Sequence, residues 1–184
     1  MEIRPINQND DLTAISDIYE QSWKFAYQGI IPQTYLDSIP HGRWANGITR
    51  DGLISLVMTE HDSIIGTASI CRSRWAQYAD HGEIVSIYFL PEYIGLGYGG
   101  QLLRHCIAEL SARGFDRILL WVLEENARAR QFYEKNGFVC TGETMQTDLG
   151  GKDLREIMYI YDINSREQKG ETDVRDQGTH PQSA

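Results

Sequence analysis

The sequence contains few cysteines and no pairs of residues at metal-ligand spacing. The cysteines are three in number and the histidines five. No two cysteines form a CxxC motif, so the sequence indicates neither a disulfide framework nor a zinc site. The histidines also lack the paired spacing that metal ligands show. We therefore expect no metal; the residues concerned are Cys71, Cys106, Cys140, His41, His61, His81, His105 and His180.

Long apolar segments and an excess of positive charge are also missing. The longest uncharged, mostly apolar run, Ile84 to Pro91, is far shorter than the ~20 residues that a bilayer span requires. The first residues, MEIRPINQNDD, lack the apolar core of a secretion signal. The 26 Asp and Glu residues outnumber the 17 Lys and Arg residues. The resulting formal charge of -9 disfavours binding to nucleic acid and to anionic lipid. We expect a cytoplasmic protein with no nucleic-acid or membrane partner, whose charge attracts a cationic substrate.

The length and composition predict one folded domain followed by a polar tail. A chain of 184 residues with 41% hydrophobic and 23% charged residues has enough material for a single core. From Asn164 onward, Val174 is the only aliphatic residue larger than Ala, so little there offsets the entropy of ordering. We therefore predict a domain over residues 1–163 and a disordered tail over residues 164–184.

The hydrophobic spacing predicts a mixed α/β fold. Apolar residues from Leu12 to Ala26 recur at helical spacing after possible N-cap residues, whereas the segments from Leu53 to Cys71 are rich in β-branched residues. Further helices are predicted from Pro32, through 44–49, from the glycine-rich segment to Gly114, and over 126–136. Strands are predicted over 2–6, 53–58, 64–71, 83–90, 118–123, 138–144 and 154–163. The result is an α/β (α+β) sheet of about seven strands with four or five helices.

A cluster of glycines lies where a predicted strand passes into a helix. Gly95, Gly97, Gly99 and Gly100 carry no side chains, so an anion can approach their backbone N–H groups closely. The positive end of the following helix dipole adds to this attraction. The segment therefore predicts a phosphate or pyrophosphate site.

Two nucleotide-binding patterns can be compared with this loop. The spacing Gly95-x-Gly97-x-x-Gly100 satisfies the dinucleotide fingerprint, and Glu124 stands where its ribose-binding acid would be. Only one helix and two strands follow, however, whereas a dinucleotide fold needs further βαβ repeats. An NAD(P)-dependent oxidoreductase stays open as an alternative. A Walker loop is excluded because no Gly-Lys-Ser/Thr closes the segment.

Two blocks of the sequence resemble the GNAT superfamily of acetyl-CoA-dependent N-acetyltransferases. They are EIVSIYFLPEYIGLGYGGQLL from Glu83 and LWVLEENARARQFYEKNGF from Leu120. The N-terminal stretch WKFAYQGIIPQTYLDSI resembles a bacterial subgroup whose acceptors are mostly unassigned. The resemblance implies the GNAT fold, with a sheet splayed at the acetyl-CoA site. The family's loop pattern maps onto Ile94, Gly95, Leu96, Gly97, Tyr98 and Gly99, and Ile94 departs from it by lacking a polar side chain.

The resemblance also implies the residues that bind the coenzyme. In addition to Ile94, Gly95, Leu96, Gly97, Gly99 and Gly100, the backbone around Ile87, Phe89 and Leu90 is expected to bind the pantetheine arm and the oxyanion. Asn126 matches a coenzyme contact and is also suited to cap a helix. Basic residues on the helices are candidates for the coenzyme phosphates: Arg104, Arg128, Arg130 and Lys135.

The catalytic residues are likewise expected from the resemblance. An alkyl amine must lose a proton before it attacks a thioester, and Glu83 matches the family's general base. His81 and Asp80 are close enough in sequence to compete for this role. Tyr133 matches the tyrosine that acts as general acid toward the departing thiolate and also contacts the coenzyme. Cys106 lies on an apolar helix face, which favours direct transfer over an acetyl-cysteine intermediate.

The sequence thus predicts transfer of acetyl from acetyl-CoA to a primary amine in a ternary complex. The acceptor can be a small cationic amine or a peptide or protein amine, and a homodimer is possible, as in other family members. The acceptor pocket is expected from residues 23–49 and 74–82. A non-catalytic CoA-binding sensor is a further alternative to the oxidoreductase.

Overall fold

The chain, as a computed structural model described for residues 1–61 and 63–164, forms one seven-stranded mixed sheet with the order β1-β2-β3-β4-β5-β7-β6. The strands are β1 (Glu2–Pro5), β2 (Ile54–Glu60), β3 (Ser63–Arg72), β4 (Gly82–Phe89), β5 (Arg117–Leu123), β6 (Val139–Leu149) and β7 (Lys152–Asp162). The helices are α1 (Leu12–Ala26), α2 (Gln33–Asp37), α3 (Ala45–Ile48), α4 (Tyr98–Ala112) and α5 (Ala127–Lys135). The predicted mixed α/β fold is confirmed.

The last hairpin is longer than the sequence pattern predicts. Strand β6 continues to Leu149 instead of ending near Thr144, because its pairing with β7 resumes after a register shift between Cys140 and Thr144. Gly142 lies within this shift and has a φ of 83°. The predicted tail, apart from Asn164, lies outside the described residues.

Helices cover both faces of the sheet. On one face, Leu102, Leu103 and Cys106 of α4 are fully buried against the large core cluster of the sheet. On the other face, Ile15 and Tyr19 of α1 belong to a second cluster, and Leu36 of α2 belongs to a third. No helix in the described part of the chain combines the length and apolar character needed to cross a membrane.

The two central parallel strands separate soon after they begin to pair. Strands β4 and β5 pair only at Gly82↔Ile118 and Glu83↔Leu119. Strand β4 then continues to Phe89 and β5 to Leu123, each still paired on its other side. The sheet is therefore splayed, and the opening between these strands positions the site.

Candidate active site

A cavity of about 690 Å³ occupies the opening between β4 and β5. It extends from the glycine loop, residues 94–100, on one side to helix α1 on the other. The structure brings most of the predicted site residues together along its walls: Ile87, Phe89, Ile94, Gly95, Gly97, Gly99, Gly100, Asn126 and Tyr133.

The glycine loop forms a cradle of backbone at the start of α4. Gly97 is the N-cap residue, with a φ of 91°, and no side chain in the described part of the chain caps the helix. Gly95 has a φ of 89°, and a Cβ at either glycine would meet no atom within 4 Å. The first N–H groups of α4 therefore have no side-chain partner and lie at the positive end of the helix dipole, which suits a phosphate group.

Positive side chains surround the same end of the cavity. Arg104 of α4 and Lys135 of α5 contribute to its lining and are exposed enough to meet a charged ligand. Arg128 instead lines the cavity beside α1, with its guanidinium 4.9 Å from the centroid of the Phe25 ring. Arg130 differs, since its guanidinium donates to Tyr159 Oη at 3.1 Å and to the Glu124 carbonyl at 3.2 Å. Three of the four predicted basic residues therefore lie at the cavity, and Arg130 does not.

Two of the predicted backbone contacts are not brought to the cavity. The Leu90 N–H donates to the Ile65 carbonyl at 3.0 Å, and its own carbonyl accepts from the Tyr93 N–H at 3.0 Å. Because both backbone groups are engaged, Leu90 does not offer them to a ligand as predicted. Leu96 lies at the tip of the loop with 63% of its surface exposed and does not line the cavity.

Tyr133 and Asn126 line the cavity from the helix that follows β5. The Tyr133 ring lies 5.2 Å from the Phe132 ring and 5.8 Å from the Phe138 ring. Burial raises the pKa of its phenol, so the hydroxyl carries its proton at neutral pH. Asn126 Oδ1 accepts a hydrogen bond from the Ala129 N–H at 3.1 Å and so caps α5. This capping leaves the Asn126 side-chain N–H₂ available for a ligand.

The predicted base is held away from the cavity. Glu83 is 1% exposed, and its Oε1 accepts from Arg74 Nη2 at 2.6 Å and Nε at 3.1 Å. Its Oε2 accepts from the Arg74 backbone N–H at 2.9 Å. The competing His81 is bound through Nδ1 to Asp80 Oδ1 at 2.7 Å. None of these three predicted candidates lines the cavity.

Sequence reasoning missed a carboxylate that does line the cavity. Glu156 of β7 contributes to its wall, and burial raises the pKa of the carboxyl group while the nearby charge of Arg74 opposes this rise. The signal was present in the alternation of β7, where Glu156 stands between Leu154 and Met158 on one face, both of them buried. A carboxylate at an inward position of such a strand is unusual.

The opposite end of the cavity is lined by aromatic rings. The ring centroids of Trp23 of α1 and of Tyr27, the C-cap residue of α1, lie 5.0 Å apart, and Trp23 Nε1 donates to Tyr88 Oη at 3.0 Å. Trp121 of β5 contributes a further ring and lies 5.3 Å from the ring of Trp75. This end can hold an apolar body together with a cation.

The splayed parallel strands, the backbone cradle and the buried phenol define an acyltransferase that binds a phosphate-bearing acyl donor. Residues 12–138 match the model of the acetyltransferase (GNAT) family. The chain belongs to this family and is an acetyl-CoA-dependent acetyltransferase. This membership favours acetyl-CoA over the dinucleotide that the glycine spacing left open.

Comparisons with individual proteins agree with this assignment. The chain is 30% identical over 119 residues to an uncharacterized N-acetyltransferase, YuaI, of Bacillus subtilis strain 168, covering 64% of this chain and 69% of that protein. It is 26% identical over 147 residues to the spermidine N(1)-acetyltransferase of Thermoplasma acidophilum, covering 75% of this chain and 88% of the relative. The crystal structure of the PaiA N-acetyltransferase from Thermoplasma acidophilum in complex with coenzyme A superposes with a TM-score of 0.65 at 24% identity, covering 88% and 100% of the two chains. This superposition supports the fold.

Proposed function

We propose that the protein transfers acetyl from acetyl-CoA directly to a primary amine, with both substrates bound in the cavity between β4 and β5. The observation that carries the proposal is the continuity of this cavity, which joins the anion cradle of the glycine loop to the ring-lined end beside α1. One substrate can enter from each end, and their reactive groups then meet beside Tyr133.

The residues of one end fit the donor. The amides around Gly97, Gly99 and Gly100, together with Arg104 and Lys135, would hold its phosphates. The edge of β4 at Ile87 and Phe89 faces the opening left by β5 and would pair with the amides of its pantetheine arm. When bound, acetyl-CoA supplies a thioester whose carbonyl carbon is attacked by the amine.

Tyr133 is proposed to protonate the departing sulfur. Its phenol is buried at the cavity and keeps its proton at neutral pH because burial raises its pKa. A positioned hydroxyl can donate a hydrogen bond to the thiolate as the C–S bond breaks, which favours collapse toward products. Glu83, the base predicted from the sequence, would need to be released by Arg74 before it could act.

The acceptor is proposed to be a primary amine. The formal charge of -9 favours attraction of a cation over that of an anion, and one relative is named as a spermidine acetyltransferase. Both small amines and peptide amines satisfy the chemistry of this site. The homodimer and the cytoplasmic location stay predictions.

Calorimetric titration and a thiol-release assay test the proposal. We expect acetyl-CoA to bind, NAD not to bind, and free coenzyme A to appear when an amine from a panel is added. Binding of NAD without binding of acetyl-CoA would support the oxidoreductase instead. Binding of acetyl-CoA without turnover of any amine, in the wild type and in Tyr133→Phe alike, would support the sensor.

A further inference from the structure

Glu156 is a charged residue at a position of β7 whose neighbours are mainly apolar. It pairs with Leu123 across β5 and with Met145 across β6, and it shares a face of β7 with Leu154 and Met158. Leu36 of α2 forms an apolar cluster with Leu123 and Leu154, and Trp23 of α1 packs against this cluster. The carboxylate therefore stands in mainly apolar surroundings at the wall of the cavity.

The carboxylate has no bonded partner of its own. Within residues 1–61 and 63–164, no hydrogen bond or ion pair reaches the Glu156 side chain. The charge of Arg74 acts on it, but the Arg74 guanidinium is bonded to Glu83 at 2.6 Å. A partly buried carboxylate without a paired charge is less well solvated than one in water, and a ligand that brings a positive charge would offset this cost. This arrangement indicates that the missing partner is a cationic ligand.

The charges along the cavity limit the number of ammonium groups that it can accept. Among the described residues lining the cavity, Glu156 is the one carboxylate, and the other charged side chains are Arg104, Arg128 and Lys135. The rings of Trp23, Tyr27, Tyr88 and Trp121 give this end an aromatic lining, and the Arg128 guanidinium is held over the Phe25 ring beside α1. A monoamine with a hydrophobic body satisfies both features, whereas further ammonium groups of a polyamine would find no second carboxylate.

Glu156 and Tyr133, the proposed acid, both influence the pKa of Tyr27. Burial raises the pKa of the Tyr27 phenol to about 12, and the groups at Tyr133 and Glu156 both add to this rise. Tyr27, Tyr133 and Glu156 all line the same cavity. An amine bound to Glu156 would thus share this cavity with a thioester beside Tyr133.

We propose that Glu156 binds the ammonium group of the acceptor and removes its proton, and that the acceptor is a primary monoamine with an arylalkyl or alkyl body. The inference rests on the proposed function. The carboxylate takes one proton from the ammonium, and the neutral nitrogen attacks the thioester carbon. The C–N bond forms and the C–S bond breaks, Tyr133 gives its proton to the sulfur and takes up the second nitrogen proton, and the Glu156 proton passes to solvent.

This assignment leaves Glu83 with a structural role. Its carboxylate positions Arg74 through three hydrogen bonds, at 2.6, 2.9 and 3.1 Å, at the loop that follows β3. The bond to Glu83 is the largest cause of the raised pKa of Arg74, and the charge of Glu156 is the smallest. Glu156 therefore contributes little to holding Arg74.

Steady-state kinetics of the full chain with acetyl-CoA and four probe acceptors test the inference. The probes are 2-phenylethylamine, hexylamine, spermidine and a peptide that begins with alanine. We expect the two monoamines to have the highest kcat/KM. The Glu156→Gln variant should lower kcat/KM for them by about 10²- to 10⁴-fold, the usual contribution of a positioned proton acceptor. Its affinity for acetyl-CoA should stay within about twofold, and its Tm should be equal or higher.

Asp153→Asn is the matched control, because Asp153 lies on the same strand, is exposed and does not line the cavity. It should behave as the wild type with every probe. The kinetic loss in Glu156→Gln should shrink toward alkaline pH, where more of the amine is already neutral in solution, a change that a purely structural role would not produce.

Three results from the comparison of variants and probes would overturn the inference. They are unchanged kinetics in Glu156→Gln, a preference of the wild type for spermidine or the peptide, and loss of activity at unchanged Tm in Glu83→Gln alone. Failure of the wild type to acetylate any probe also overturns it. The proposed function is judged separately by acetyl-CoA binding and by turnover across the wider amine panel.

Discussion

Gly97 offers a direct test of the backbone cradle, because the same helix carries a matched glycine at its other end. Gly97 has a φ of 91° before α4, and Gly114 has a φ of 86° after it. A Cβ would meet nothing within 4 Å at either position. Alanine in this left-handed conformation costs about 1–2 kcal/mol. For a domain of this size, both Gly97→Ala and Gly114→Ala should therefore lower Tm by roughly 2 to 8 °C.

The two variants should differ in how they bind acetyl-CoA. Gly97 lines the cavity, so its new methyl group would occupy space beside the amides that hold the phosphates, whereas Gly114 is not among the lining residues. Loss of one hydrogen bond to a charged group costs about 1.5–3 kcal/mol. This cost corresponds to an increase in Kd of about 10- to 150-fold for Gly97→Ala and no change for Gly114→Ala.

Thermal unfolding and calorimetric titration with acetyl-CoA measure the two effects separately. Similar losses of stability with a difference in affinity would support the cradle. The reasoning is refuted if Gly97→Ala binds acetyl-CoA as the wild type does, or if Gly114→Ala loses affinity to the same extent.

Two other predictions concern single side chains in the cavity. Tyr133→Phe should lower kcat by about 10²-fold with the affinity for acetyl-CoA within about twofold, because it removes a proton donor and keeps the ring; an unchanged kcat in a single-turnover assay would argue against the acid. The folded-state pKa of Glu156 is raised, so its contribution to stability is present below the usual Glu pKa of about 4.3 and is lost as pH rises through the folded value. Glu156→Gln should therefore raise Tm relative to the wild type at pH 8 and match it at about pH 4, and a constant difference between the two melting curves would contradict the assignment.

The local elements could be predicted from the sequence because their signals are local. Helix α1 follows from the spacing of Ile15, Ile18 and Tyr19, all of which are buried. The cradle follows from glycines at a strand-to-helix junction, and the structure gives Gly95 and Gly97 the positive φ that such a turn requires. In each case the residues that form the pattern in the sequence are the same residues that form the helix or the turn.

The strand pairings and side-chain contacts that place the site residues join segments that are far apart in the sequence or that follow no periodic pattern. Strand β7 lies between β5 and β6 in the sheet, which places Glu156 beside Leu123, 33 positions earlier in the chain. The alternation of β7 could indicate that Glu156 points inward, but only the strand order shows which cavity it meets. The Arg74 bond to Glu83 is similar, because no periodicity indicates which side chain a carboxylate at a strand end will bind.

The direction of a backbone group also depends on pairing. Leu90 was predicted to offer its backbone to the coenzyme, yet its N–H donates to Ile65 of β3. Along β4, alternate N–H groups face β3 and the opening left by β5, and a register shift between Ser69 and Ile70 of β3 sets which of them face the opening. The Leu90 N–H is directed to β3, and Leu90 does not line the cavity, whereas Ile87 and Phe89 do.

The state of the thiols supports direct transfer through the cavity. An acetyl-cysteine intermediate would need a thiolate at the cavity, because the thiolate is the nucleophile. Burial raises the pKa of Cys71 to about 11 and that of Cys106 to about 12, so both thiols stay protonated, and neither lines the cavity. Cys140 is exposed and also lies outside the lining. These positions favour the proposed direct attack of the amine on the thioester, for which both substrates would be bound at once. The cavity offers one space for both, with the glycine cradle at one end and a carboxylate among aromatic rings at the other.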